Sequence, residues 1–170
     1  MERFVDADEL ERFLRRVRFA AQQGGFELPD DLVASVMQEL AVGLTSFAQL
    51  RELARNGAFL ALLQSKLPMR LIDEIAPAYV NLPSGRRAKI EYHDGRAPSV
   101  ASRLQDFFGM TESPTVARGA VPLIVELLAP NRRPLQVTQD LASFWTNFYP
   151  QLRRELSRRY PKHSWPENPM

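Results

Sequence analysis

The stretch RRAKIEY, Arg86 to Tyr92, is where the hydrophobic period of this chain changes. Ala88, Ile90 and Tyr92 alternate with Arg87, Lys89 and Glu91, so one set of side chains faces a core and the other faces water. That pattern predicts a half-buried strand. Just upstream, AYVNL is a second extended run, joined to the first through PSG. Just downstream, HDGR ends the strand with an Asp-Gly turn.

Moving toward the N-terminus, the period becomes helical. DELERFLRRVRFAAQQGG places Leu10, Phe13, Leu14, Val17 and Ala21 on one face, and Gly24-Gly25 stops it. PDDLVASVMQELAVG reads as a second helix ending at Gly43. TSFAQLRELARNG reads as a third, with Ser46 and Gln49 at capping-box spacing. AFLALLQSKL and PMRLIDEIA follow, closed by Pro77. Toward the C-terminus, SVASRLQDFFG is expected to be a helix with Val100, Leu104, Phe107 and Phe108 inward. VPLIVELL and PLQVTQ flank APNRR as a hairpin. DLASFWTNFYPQLRRELSRRY is a long helical stretch that Pro150 kinks or divides, with Leu141, Phe144, Phe148 and Leu152 as its core stripe.

These elements give an α+β fold. A helical N-terminal part (1–76) packs on a small, mostly antiparallel sheet built from two hairpin-like pairs. The 99–108 and 140–159 helices cover that sheet, and the 77–170 part ends in a strap, the two parts sharing one core or forming two domains. The strap is RRYPKHSWPENP, where prolines restrict the unfolded tail and Tyr160 and Trp165 anchor it by burial.

At 170 residues, with 45% hydrophobic and 25% charged residues, the composition is globular. Cysteine is absent, and His93 and His163 are the only imidazoles, so disulfide frameworks and Cys-based metal sites are excluded. No run reaches the length of a spanning helix, and the acidic start MERFVDADELERF is no signal peptide, so a cytoplasmic protein is expected. Charge is uneven: residues 1–76 hold 9 Lys and Arg against 12 Asp and Glu, and residues 77–170 hold 13 against 8. The second part is therefore the one suited to meet phosphate.

None of the 8 glycines precedes a lysine, which excludes a P-loop, and neither G-x-S-x-G nor H-E-x-x-H occurs. DEIA at Asp73–Ala76 begins like a helicase acidic box but lacks its histidine. No neighbouring His and Ser come with an obvious orienting acid. Binding is the better prospect. SGRRAK sets Arg86, Arg87 and Lys89 at a turn, NRR sets Arg132 and Arg133 at a hairpin tip, and LRRELSRR puts Arg154 and Arg158 on one helical face. Guanidinium groups match phosphate in a two-pronged geometry, so these seven residues are the candidate nucleic-acid contacts. The competing reading is that turn tips carry soluble residues and helix-end arginines answer the dipole.

LPSGRRAKIEY, SVASRLQDFFGMTESPTVARGAVPLIVELLAPNRRPLQVTQDLASFW and RRELSRRYPKHSWPENP together resemble the C-terminal region of HrpB-type ATP-dependent helicases, bacterial DEAH-box (DExH) proteins. The resemblance to the family-specific domain runs from about Ala76 to Pro169, and LARNGAFLALL with APAYVNLPSG looks like the segment before it. It implies an excised C-terminal piece of a helicase, with no catalytic, cofactor or metal residue of its own. ATP and Mg belong to motor domains that this chain lacks. The implied role is an accessory domain that docks on its own motor and contacts single-stranded RNA or DNA. The alternative is a structural or protein-interaction module that braces the motor without touching nucleic acid.

Overall fold

The computed structural model describes residues 7–46, 48–49, 52–53 and 57–170. The chain divides into two compact units, residues 1–76 and 77–170. Among the described residues of the first unit, the helices are α1 (Ala7–Gly24), α2 (Leu32–Ala41), α3 (Ala58–Ser65) and α4 (Met69–Ile75). Helix α1 ends where expected, with Gly25 at φ 66°, a conformation that glycine adopts without a Cβ clash. Its apolar face buries Val17 and Ala20, and Arg16 ties it to α4 by donating to the Ala76 carbonyl (2.6 Å) and pairing with Asp73. Of the expected third helix, TSFAQLRELARNG, residues 47, 50–51 and 54–56 lie outside the described residues. At its start the Gln49 amide donates to Ser46 Oγ (3.3 Å), and Gln49 Oε1 accepts from the Thr45 amide (2.9 Å).

The second unit is built on a five-stranded sheet in the order β1-β2-β3-β6-β7. Its strands are β1 (Tyr79–Asn81), β2 (Arg87–Glu91), β3 (Ser99–Arg103), β6 (Ile124–Leu128) and β7 (Pro134–Thr138). The short strands β4 (Thr115–Val116) and β5 (Val121–Pro122) form a separate pair. Both expected hairpins are present, β1 with β2 and β6 with β7, each antiparallel. Pro134 begins the edge strand β7 beside a register shift at Leu127/Leu128, a place where a missing amide costs the ladder little.

The 99–108 segment is not a covering helix. Ser99–Arg103 is the central strand, antiparallel to β2 and parallel to β6, and only Leu104–Phe107 winds into a single 3-10 turn. Val100, Leu104, Phe107 and Phe108 do fall at helical spacing. The strand wins because it is paired on both sides and buries Ser99, Val100 and Ser102, an environment that favours extended backbone whatever the local periodicity.

The 140–159 stretch is divided, as expected, into α5 (Leu141–Asn147) and α6 (Tyr149–Arg159), with Pro150 in the first turn of α6, where its missing N–H is no loss. The break at Phe148 alters which aromatics are inside. Trp145 and Tyr149 are buried with Leu141 and Phe144, whereas Phe148, expected in the core stripe, is 54% exposed. The rings of Trp145 and Tyr149 meet edge-on at 5.3 Å, and Phe108 contacts both.

The tail packs as a strap. Trp165 is 8% exposed and donates from Nε1 to the Tyr160 carbonyl (3.0 Å). Tyr149 Oη donates to the Pro166 carbonyl (2.8 Å), Arg153 Nε donates to the Trp165 carbonyl (2.8 Å), and the Gly109 amide donates to the Pro169 carbonyl (2.6 Å). Trp165 is the buried anchor, while Tyr160 is half-buried and serves through its carbonyl. No helix among the described residues is long and apolar enough to cross a membrane.

Candidate nucleic-acid interface

Strand alternation and register sort the side chains of the sheet. Ala88, Ile90, Val100, Val125 and Leu127 are buried on one face. On the other, Tyr79 pairs across from Lys89, and Asn81 from Arg87. Tyr79, Arg87, Lys89 and Ala101 are exposed on this second face, and Arg103 is half-buried. The Arg87 guanidinium lies 4.7 Å over the Tyr79 ring, which holds an exposed aromatic and a cation together. Lys89 Nζ is 3.6 Å from Glu91, an exposed pair that solvent largely screens.

At one end of the sheet two turns approach each other. In the β1–β2 turn the Leu82 amide donates to the Arg86 carbonyl (2.8 Å), with Gly85 at φ 82° supplying the left-handed residue that the turn requires. In the β6–β7 turn the Ala129 amide donates to the Arg133 carbonyl (2.8 Å), and Arg132 itself is left-handed at φ 66°. Between them opens a cleft of about 170 Å³ lined by Arg86, Ala101, Ser102, Arg103, Leu128 and Arg132. Arg86 and Arg132, 46 positions apart in sequence, thus share one cleft because the β1–β2 and β6–β7 hairpins flank the same central strand.

Asp106 is the carboxylate at hand. It accepts from Ser102 Oγ and the Arg103 amide (3.2 Å), and its ion pair with Arg86 Nε is long at 3.5 Å. Arg103 Nε is buried with no hydrogen-bond partner among the described residues, a state that costs about 1–3 kcal/mol when nothing accepts from the donor. Sequence reading missed Arg103. It sits in the segment expected to be helical, where nothing distinguishes it, and strand alternation from Ala101 is the signal that would have found it.

Of the seven candidates, then, Arg86 and Arg132 come together in the cleft, and Arg87 and Lys89 lie on the adjoining sheet face. Arg133 is exposed at the same turn as Arg132. Arg154 and Arg158 are exposed on α6 and do not line the cleft. His93 Nε2 lies 3.0 Å from Ser99 Oγ, a His–Ser contact that sequence reading did not anticipate. Ser99 is 5% exposed within the sheet, so a substrate cannot reach its hydroxyl without opening the strand. Among the described residues no group of three His, Cys, Asp or Glu could hold a metal ion.

Comparison with known proteins places the same residues in a wider setting. A family model described as ATP-dependent helicase C-terminal (HrpB_C) matches residues 36–169. The match begins inside α2, well before the Ala76 boundary expected from the quoted strings, so the family signature includes part of both units. The chain is 42% identical over 127 residues to the ATP-dependent RNA helicase HrpB of Escherichia coli K12, covering 75% of this chain and 16% of that protein. It spans only about a sixth of that relative. Among solved structures, the E. coli DExH-box NTPase HrpB matches over 97% of this chain and 21% of its own, with TM-score 0.85 and 33% identity. A second structure, the E. coli DEAH/RHA helicase HrpB, matches over 92% of this chain and 21% of its own, with TM-score 0.70 and 32% identity.

Proposed function

Since this chain belongs to the HrpB family of ATP-dependent helicase C-terminal regions, we propose that it is a non-catalytic accessory part that docks on the motor domains of its own helicase and contacts single-stranded RNA. ATP and Mg act at the motor, and the helicase works in the cytoplasm. The observation that carries the nucleic-acid contact is the grouping of Tyr79, Arg87 and Lys89 on one exposed sheet face, next to a cleft lined by Arg86 and Arg132. Cations on such a face follow the sugar-phosphate backbone, and an exposed aromatic offers a base a stacking surface without reading its identity.

Fluorescence anisotropy of a labelled single-stranded RNA, titrated with the protein at low and moderate salt, tests this. Binding should weaken steeply with salt, by roughly 0.7 in log K per log salt for each phosphate neutralised. Replacing Arg86, Arg87, Arg132 and Arg133 together by Ala should abolish it. Absence of binding even at low salt would leave the bracing role alone.

A further inference from the structure

We propose that the cleft between the Gly85 and Arg132 turns is a phosphate-binding site that seats one backbone phosphate of a single strand; this deepens the nucleic-acid reading above and rests on it. Arg86, Arg103 and Arg132 line the cleft, and among the described residues Asp106 is the one carboxylate bonded to them. Three positive charges against one negative leave a surplus of two. The Arg132 guanidinium has no hydrogen-bond or ion-pair partner among the described residues, and Arg103 Nε is a buried donor with nothing accepting from it. Asp106 cannot serve them all: its carboxylate already takes Ser102 Oγ and the Arg103 amide, and it holds Arg86 only at 3.5 Å.

These donors match an anion with several acceptor oxygens. A phosphate group offers that, and guanidinium forks engage its oxygens in pairs. The 170 Å³ of space is ample, given that one water needs only roughly 10–15 Å³. A bound phosphodiester would accept from Arg132 and draw Arg86 from its long contact with Asp106, and Arg103, whose Nε is shut off from solvent, would have to turn its guanidinium outward to join them. The chain of a strand held there continues over Arg87 and Lys89, which follow Arg86 directly along β2.

The test is NMR of arginine Nε–Hε groups in the intact chain. It is titrated first with inorganic phosphate against chloride at constant ionic strength, then with an RNA oligonucleotide bearing hydroxyls at both ends, so that every phosphate is internal. Phosphate should shift the Arg86, Arg103 and Arg132 signals, and the oligonucleotide should compete for the same site. Arg132→Gly removes a guanidinium at a left-handed position that glycine prefers, so the fold persists while affinity for inorganic phosphate should fall about tenfold or more. Arg103→Lys keeps the charge but loses the fork, and should weaken phosphate too. Phosphate that leaves all three signals unmoved overturns the site, even if RNA binds elsewhere on the sheet and the wider reading survives. Phosphate binding with no competition by the oligonucleotide overturns the backbone assignment and leaves a site for small phosphates. Undiminished affinity in Arg132→Gly overturns the role given to that residue and the cleft with it.

Discussion

Trp165→Ala removes the anchor of the strap and is the sharpest test of how the second unit holds its end. The indole is 8% exposed, and an aromatic of this kind buries roughly 150–250 Å². At about 25 cal/mol per Å², and allowing for an unfolded chain that is already partly collapsed, its truncation should cost about 3–5 kcal/mol. The hydrogen bond from Nε1 to the Tyr160 carbonyl is included in that range. The other strap bonds use the Trp165, Pro166 and Pro169 carbonyls, which the substitution keeps. For a chain of this size a loss near 3 kcal/mol lowers Tm by on the order of 10 °C. Calorimetry reads the stability, and exchange of the Gly109 amide, bonded to Pro169, reads strap docking. Trp165→Phe keeps most of the buried area and should lose only about 1–2 kcal/mol. An unchanged melting curve and a still-protected Gly109 amide in Trp165→Ala would refute the reasoning.

Two further outcomes follow from single contacts. Burial pushes the Tyr149 phenol from 10.0 up to about 12, against the opposing pull of Arg153. The folded state holds that proton more tightly, so its contribution of about 2–3 kcal/mol is intact below about pH 10 and fades as pH rises through about 12. Urea melts should show this loss in the native chain and not in Tyr149→Phe; equal slopes in both would refute it. In the first unit, Arg16→Ala should cost about 2 kcal/mol, mostly from the charged hydrogen bond to the Ala76 carbonyl. Asp73→Asn should cost under about 1 kcal/mol, because the Asp73 side chain is 63% exposed and water replaces the guanidinium. Denaturant titrations giving the reverse order would show that the ion pair dominates.

Local chemistry made much of this fold readable. Alternation in RAKIE, glycines at the ends of α1 and α2, and a five-residue turn between two β-rich runs each reflect short-range geometry that survives in any context. The error at Ser99–Arg103 has the opposite origin. That strand buries Ser99 and Ser102 and exposes Ala101, so its pattern of burial is not written in hydrophobicity, and Leu104 and Phe107 in the following turn completed a helical pattern by coincidence. Phe148 was misplaced because periodicity was carried across a break that resets it. The cleft was half legible: its arginines stood out at two turns, but only the strand order brings those turns together and adds Arg103.

The parallel contact between β3 and β6 also bears on how the sheet assembles. Each hairpin can zip along its own sequence in microseconds, whereas β3 and β6 must meet across the twenty residues 104–123. Contact order makes that meeting the expected slow step, since distant pairing must await closure of the intervening chain. Its tolerance is correspondingly wide: doubling the connection would add only about 0.6 kcal/mol of closure entropy. The seam between the two hairpins is where the domain is kinetically one piece or two.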